Sequence, residues 1–483
     1  MAKITAVIDI GSNSARIAIF EKTSHFGFHL LYESKSKVRI SENSYKYEGY
    51  LQEEAMERAI EALKDFLWIA KLHKARKILC VATSAVRDAP NKAIFLQKAR
   101  AIGLKIKVID GQKESYFGAL AALNLLPYDN GITIDIGGGS TECALIQNGS
   151  IVQMHSLDIG TIRLKELFFD RGDCKGAYEF VSQHLQSLSF KHPIIFGIGG
   201  STRAISKAIQ KNISYPLDGL HAFEYDFSAQ RDFIQKIYQS PQDALYKFGI
   251  KEDRIDSIQG GSLILYLALE HFGAKKIVTS GVGVREGVFL DDLLRKQGKF
   301  PPNFNPSVRS IKDRFIQDVK SAKNAKWISS RLFSSQESIH LIPAVFRMHL
   351  DIAAELSNTG IILDFYEKNL HSNYIVFNAL NYGFTHKDRL LIAFLTRYNN
   401  KKFPSEISYK TLLPPVEILQ ILCFFVTLAS LLSYNPNSRN FLFSWLKKGE
   451  SYTFCIQHEN FSYLLKERLK KISIPSNITL ELC

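Results

Sequence analysis

A short pattern occurs twice in this chain and limits what it can fold into. Val7-Ile8-Asp9-Ile10-Gly11-Ser12-Asn13-Ser14 recurs as Thr133-Ile134-Asp135-Ile136-Gly137-Gly138-Gly139-Ser140, with Asp9 and Asp135 standing 126 positions apart. Each copy is an apolar strand ending in an aspartate, a Gly/Ser turn and a second apolar strand, Ile17–Phe20 and Cys143–Ile146. Two such units a domain-length apart predict two related domains that face each other. Two more glycine turns follow apolar runs, Phe196–Thr202 and Thr279–Gly283.

Strands are expected at Ile4–Ile10, Ala15–Glu21, Phe28–Ser34, Lys37–Ile40, Lys77–Ala82 and Lys105–Ile109, with helices over 52–75 and 90–102. That alternation reads as an α/β sheet covered by helices. A chain of 483 residues exceeds one hydrophobic core. Phe300-Pro301-Pro302-Asn303-Phe304-Asn305-Pro306 is a linker by composition, followed by helical patterns to 434 and a tail with strand-like stretches and a basic helix, Phe461–Lys471. Domains are therefore expected at 1–124, 125–299, 300–434 and 435–483. The longest apolar run, Ile418–Leu432, is shorter than the ~20 residues of a membrane span and reads as a core helix. No signal-peptide pattern opens the chain. Six cysteines without a CxxC pair show neither metal nor disulfide spacing. Their simplest reading is a reducing compartment, and the expectation is a soluble, cytoplasmic protein.

A tight Gly/Ser turn directs successive backbone N–H groups into one concavity that suits phosphate oxygens. Glycine lets the backbone approach the ligand closely. Gly11, Ser12, Asn13, Ser14, Gly137, Gly138, Gly139 and Ser140 are thus candidate phosphate binders, and Asp9 and Asp135 at the strand ends candidate holders of a hydrated divalent cation. Glu142 lies two residues past Ser140, on the same face of an extended strand, and is a further candidate metal carboxylate. Glu114 opens a helix after a buried strand. It reads either as a partner of the helix dipole or as the base that orients water. Arg16, Arg39 (alternating with Lys35 and Lys37) and Arg87 follow the same strands and are candidates for phosphate contact.

All of these residues except Lys35, Lys37 and Arg39 lie in stretches that resemble the exopolyphosphatase/guanosine pentaphosphatase (Ppx/GppA) family of the actin-like ATPase superfamily. The matching stretches are DIGSNSAR (Asp9–Arg16), ATSAVRDA (Ala82–Ala89), IDGQKES (Ile109–Ser115), IDIGGGSTE (Ile134–Glu142), LDIGTIRLKE (Leu157–Glu166), GIGGSTRA (Gly197–Ala204), RIDSIQGG (Arg254–Gly261) and TSGVGVREG (Thr279–Gly287). The resemblance implies two actin-like, ribonuclease H-like α/β domains with the active site in the cleft between them. It adds a mainly helical, HD-phosphohydrolase-like region and a small α/β tail. It implies Glu114 as the base, with Asp135 and Glu142 assisting and binding magnesium (manganese is also accepted by such ligands), and Arg87 contacting the substrate. By the same resemblance, Gly199, Gly200 and Ser201 correspond to the turn where actin-like ATPases place the nucleoside, which implies a place there for guanosine. Lys113 departs from the family's second acid beside the base. Ser357-Asn358 replaces the His-Asp pair of an HD metal site, which argues against a second metallo-phosphohydrolase centre.

The function implied is release of terminal phosphate from inorganic polyphosphate or from guanosine pentaphosphate, giving the tetraphosphate, by a protein expected to form a homodimer. A net charge of +14 suits such polyanions. No nucleic-acid reading motif accompanies it. Two other readings share the loops: an actin-like kinase, and a non-catalytic sensor of guanosine tetra- or pentaphosphate.

Overall fold

The internal repeat is realised as a repeated sheet topology. The computed structural model describes residues 4–483, which divide into two compact units at Phe304/Asn305. In the first unit, β1 (Ile4–Ile10), β2 (Ala15–Lys22), β3 (Phe28–Ser36), β4 (Lys77–Ala82) and β5 (Lys107–Val108) form a sheet of order β3-β2-β1-β4-β5. The second sheet contains β6 (Gly131–Ile136), β7 (Thr141–Gln147), β8 (Ser150–Leu157), β9 (Ile194–Ile198), β10 (Phe223–Asp226) and β11 (Lys276–Thr279), in the order β10-β11-β9-β6-β7-β8. Both begin with an antiparallel meander, β1-β2-β3 or β6-β7-β8, and both then add two parallel strands, β4-β5 or β9-β11. Among the described strands only β10, an antiparallel edge strand, has no counterpart.

Parallel strands need crossover helices, and these supply the apolar cover of each sheet. Ala6, Ile8 and Ile10 of β1, and Ile132, Ile134 and Ile136 of β6, point into separate cores. Helix Gly111–Leu125 crosses helix Val284–Leu294 at Gly287, where a Cβ would overlap the backbone of Phe117.

One expected strand requires correction. The basic strand Lys37–Ile40 does not form: β3 ends at Ser36, and Arg39 has a left-handed backbone (φ 46°). Its segment turns because the Arg39 and Ser41 amides donate to Asn13 O and Ser12 O (3.0 and 3.2 Å). The glycine turn expected after the apolar run at Phe196 is present, and its glycines open helix Gly199–Asn212, with Gly199 at φ +89°.

The second unit is helical from Pro306 to Leu432 and ends in a sheet of order β12-β13-β14 (Leu442–Lys448, Ser451–Gln457, Ile478–Leu482). The parallel pairing of β13 with β14 brings Cys455 beside Cys483, and the two form a disulfide. Sequence spacing hid this bridge. The helix Val416–Leu432 is buried almost throughout, and no helix among the described residues is long and apolar enough to cross a membrane.

Candidate active site

The two loops are built alike. Asp9 pairs with Arg16 across β1-β2 and Asp135 with Glu142 across β6-β7, so each aspartate ends its strand beside a four-residue turn. Each turn closes on a backbone hydrogen bond, Gly11 N to Ser14 O (3.2 Å) and Gly137 N to Ser140 O (2.9 Å). Each is also fastened from behind through its carbonyls. Thr161 N and Ile162 N donate to Gly137 O and Gly138 O (3.0 and 2.8 Å), as Arg39 and Ser41 do for the first loop. The amides of Ser12, Asn13, Gly138 and Gly139 have no acceptor among the described residues. The loops meet across the cleft: a Cβ on Gly138 would lie 2.7 Å from Ser12 Cβ.

One cleft is lined by Asp9, Gly11 to Ser14, Arg16, Glu114, Asp135, Gly137, Gly138, Ser140 and Gly199 to Ser201. Four expected residues stand outside that lining. Gly139 is buried, with its carbonyl accepting from Arg163 Nε (3.0 Å). Arg39 reaches Asp256 (3.3 Å) and Glu42 (3.6 Å) in a neighbouring hollow. Arg87 lies behind Glu114, and Glu142 lies behind Ser140.

Glu114 sits in the first turn of helix Gly111–Leu125, capped by Asp110, which accepts from Lys113 N (2.7 Å). Gly111 lets that helix approach β8, since a Cβ would overlap Ser156. Glu114 is 9% exposed, and Arg87 Nη1 donates to its Oε2 at 3.0 Å. Burial and the nearby Glu142 hold its carboxyl well above the ordinary range, and Arg87 opposes them. Lys113 turns away, over the rings of Tyr116 and Phe117 and towards Asp291 (3.6 Å). Glu142 accepts from Ser140 Oγ (2.6 Å) and Ser156 Oγ (2.8 Å). Burial raises it to about 7 and raises Asp135 to about 6.

The cleft also holds Thr161, Arg203, Arg254, Arg285 and Glu286, which sequence reasoning did not select. Each of the four charged residues lies in one of the matching motifs, and Arg203 and Arg285 follow a glycine turn at a helix start, a signal that could have found them. Burial beside Arg16 and Arg285 lowers Arg203 to about 10. The Arg254 guanidinium covers Gly200, where a Cβ would lie 2.5 Å from it. Arg285 pairs with Glu33 (2.6 Å), which Arg16 also approaches (3.7 Å).

Among the described residues no three His, Cys, Asp or Glu side chains are grouped to cage an ion. Asp9 Oδ1 is nonetheless buried without a hydrogen-bond partner. Two oxygen donors that leave positions for water and phosphate fit magnesium, which is commonly held by one or two carboxylates plus substrate phosphates. In the helical unit, Ser357 donates to Ala353 O (2.6 Å), while Asn358 engages Tyr434 and Lys368 (both 3.1 Å).

Residues 18–296 match the Ppx/GppA phosphatase family, and residues 305–464 match domain III of that family. A bifunctional 3-dehydroquinate synthase/phosphatase of Fusobacterium nucleatum is 30% identical over 61% of this chain, which spans about half of that relative (47%). A guanosine-5'-triphosphate,3'-diphosphate pyrophosphatase of Pseudoalteromonas translucida is 28% identical over 81% of this chain and 79% of its own length. The crystal structure of the Aquifex aeolicus family member superposes with a TM-score of 0.54 at 28% identity, over 61% of this chain and 99% of that one. With a family match over more than half its length, this chain belongs to the Ppx/GppA phosphatase family and is a hydrolase built on a duplicated actin-like fold.

Proposed function

We propose that this chain removes the terminal phosphate of a polyanionic phosphoanhydride in the cleft between the two loops, with Glu114 as the base. The observation that carries this reading is convergence: two matched loops meet at Ser12 and Gly138, and Glu114 lines the same cleft. The unpaired loop amides bind the terminal phosphate oxygens, and Arg16, Arg203, Arg254 and Arg285 offset the charge of the chain behind it. Water oxygen attacks phosphorus in line while Glu114 takes its proton, and the anhydride P–O bond breaks with its electron pair staying on the departing phosphate. Arg87 aims Glu114 and favours its ionised form; Glu142 orients Ser140 through their hydrogen bond. Magnesium, held by Asp9 and Asp135, would neutralise phosphate oxygens.

Guanosine pentaphosphate is the favoured substrate, because the relative matched over four-fifths of both chains is named for that activity. Inorganic polyphosphate offers the same terminal group. Phosphate release from both, at matched concentrations of terminal phosphate with magnesium, tests the choice. A higher kcat/KM for guanosine pentaphosphate supports it; a much higher value for polyphosphate makes the protein an exopolyphosphatase. Tight binding of either without release would instead identify a sensor.

A further inference from the structure

The C-terminal unit contains a cavity of about 510 Å3, larger than the roughly 150 Å3 between the phosphate loops. Helix Val416–Leu432 forms its floor with the buried side chains of Cys423, Phe424 and Thr427. Tyr398 and Phe403 also line it, both in ring contact with Phe394 (centroids 4.6 and 6.2 Å apart). Its rim is cationic: Lys401, Lys402 and Lys471 are exposed, and no aspartate or glutamate lines the cavity. Lys368 and Arg468 reinforce this field, since burial, Arg468 and Lys401 together push Lys368 below the ordinary lysine range. None of these five cations has an ion-pair partner among the described residues. Clustered like charges repel, and an anion among them relieves that cost. Aromatic side chains beneath the charges favour an anion that carries a flat apolar body.

We propose that this cavity binds a small aromatic phosphate, of which a nucleoside monophosphate is the simplest representative, with its ring among Tyr398, Phe403 and Phe424 and its phosphate on Lys401, Lys402 and Lys471. Such a ligand is distinct from the substrate of the cleft, because a monophosphate has no anhydride bond to hydrolyse.

Calorimetric titration of the full chain with adenosine 5'-monophosphate, ribose 5-phosphate and inorganic phosphate tests the proposal. Saturable binding of the nucleotide is expected, tighter than ribose 5-phosphate by roughly tenfold or more. Lys401→Glu/Lys402→Glu, and separately Lys471→Glu, should each weaken nucleotide binding by roughly tenfold and leave phosphate release by the cleft unchanged. These positions are exposed, and the second variant carries the test if the first does not fold. Four results would overturn the proposal. These are no saturable nucleotide binding, affinity unchanged in both variants, ribose 5-phosphate binding as tightly as the nucleotide, or phosphate release falling in parallel with nucleotide affinity.

Discussion

In the proposed mechanism, Glu114 and Arg87 form the pair on which catalysis turns. Burial and Glu142 favour the protonated acid, and Arg87 at 3.0 Å favours the carboxylate. A base works only when ionised, so kcat/KM should fall as pH drops through a limb lying above the ordinary carboxylate range. Arg87→Met removes the opposing charge, and the limb should move to higher pH in the pH–rate profile; an unmoved limb would remove Arg87 from this role. Glu142 gives a stability test with the opposite sign. Its folded pKa, about 7, is raised from 4.5, so the folded state holds a proton that the unfolded chain releases. Its contribution is complete below about pH 4.5 and is lost as pH rises through 7. Glu142→Gln mimics the protonated acid, and in metal-free protein it should raise Tm at pH 8 by at least about 2 °C while changing it little at pH 5. Equal shifts at both pH values would contradict this. Glu114, Arg87 and Glu142 were readable from their motifs, yet the further arginines of the cleft were not selected. Arg203, Arg254 and Arg285 come from three distant stretches, and only the fold brings them into one cleft.

At the scale of elements, the loops owe their shape to the segments behind them. Residues 39–41 tie the carbonyls of the first loop, residues 161–163 those of the second, and the amides are left to face the cleft. Gly138 is where the loops touch, so Gly138→Ala forces its Cβ against Ser12 and against Ile162 at 3.3 Å. Turnover should fall by roughly a hundredfold, as misplaced reacting groups do, while Tm changes little because the site is at a cleft surface. Wild-type turnover in that variant would show that the loops need not meet. The strands β1, β2, β6 and β7 and their turns were legible because an apolar run, an aspartate and a glycine turn leave few alternatives. What composition concealed was set by distant partners. Lys37 to Ile40 carries a strand-like pattern but bends to serve Ser12 and Asn13, and Cys455 finds Cys483 only through strand pairing.

Across the molecule, the excess of +14 is not all free to meet substrate. Lys35 lies 3.7 Å from Asp253, and Lys37 and Arg39 reach Asp256 at 4.0 and 3.3 Å, so carboxylates of the second sheet's domain occupy cations of the first. These pairs are partly exposed and individually weak. A polyanion competes with them, and Asp253→Asn/Asp256→Asn should lower KM for polyphosphate by about two- to fivefold at low salt, with the gain fading near 0.5 M salt as screening sets in. An unchanged KM at low salt would show that the cluster is not on the substrate's path.

The most direct measurement compares Glu114→Gln with wild type, in phosphate release and in binding of the same phosphoanhydride. Substrate affinity within about threefold of wild type, with turnover reduced by roughly 10²–10⁴, is the expected outcome for loss of a general base. Phosphate release equal to wild type would contradict the assignment of Glu114 and, with it, the proposed mechanism.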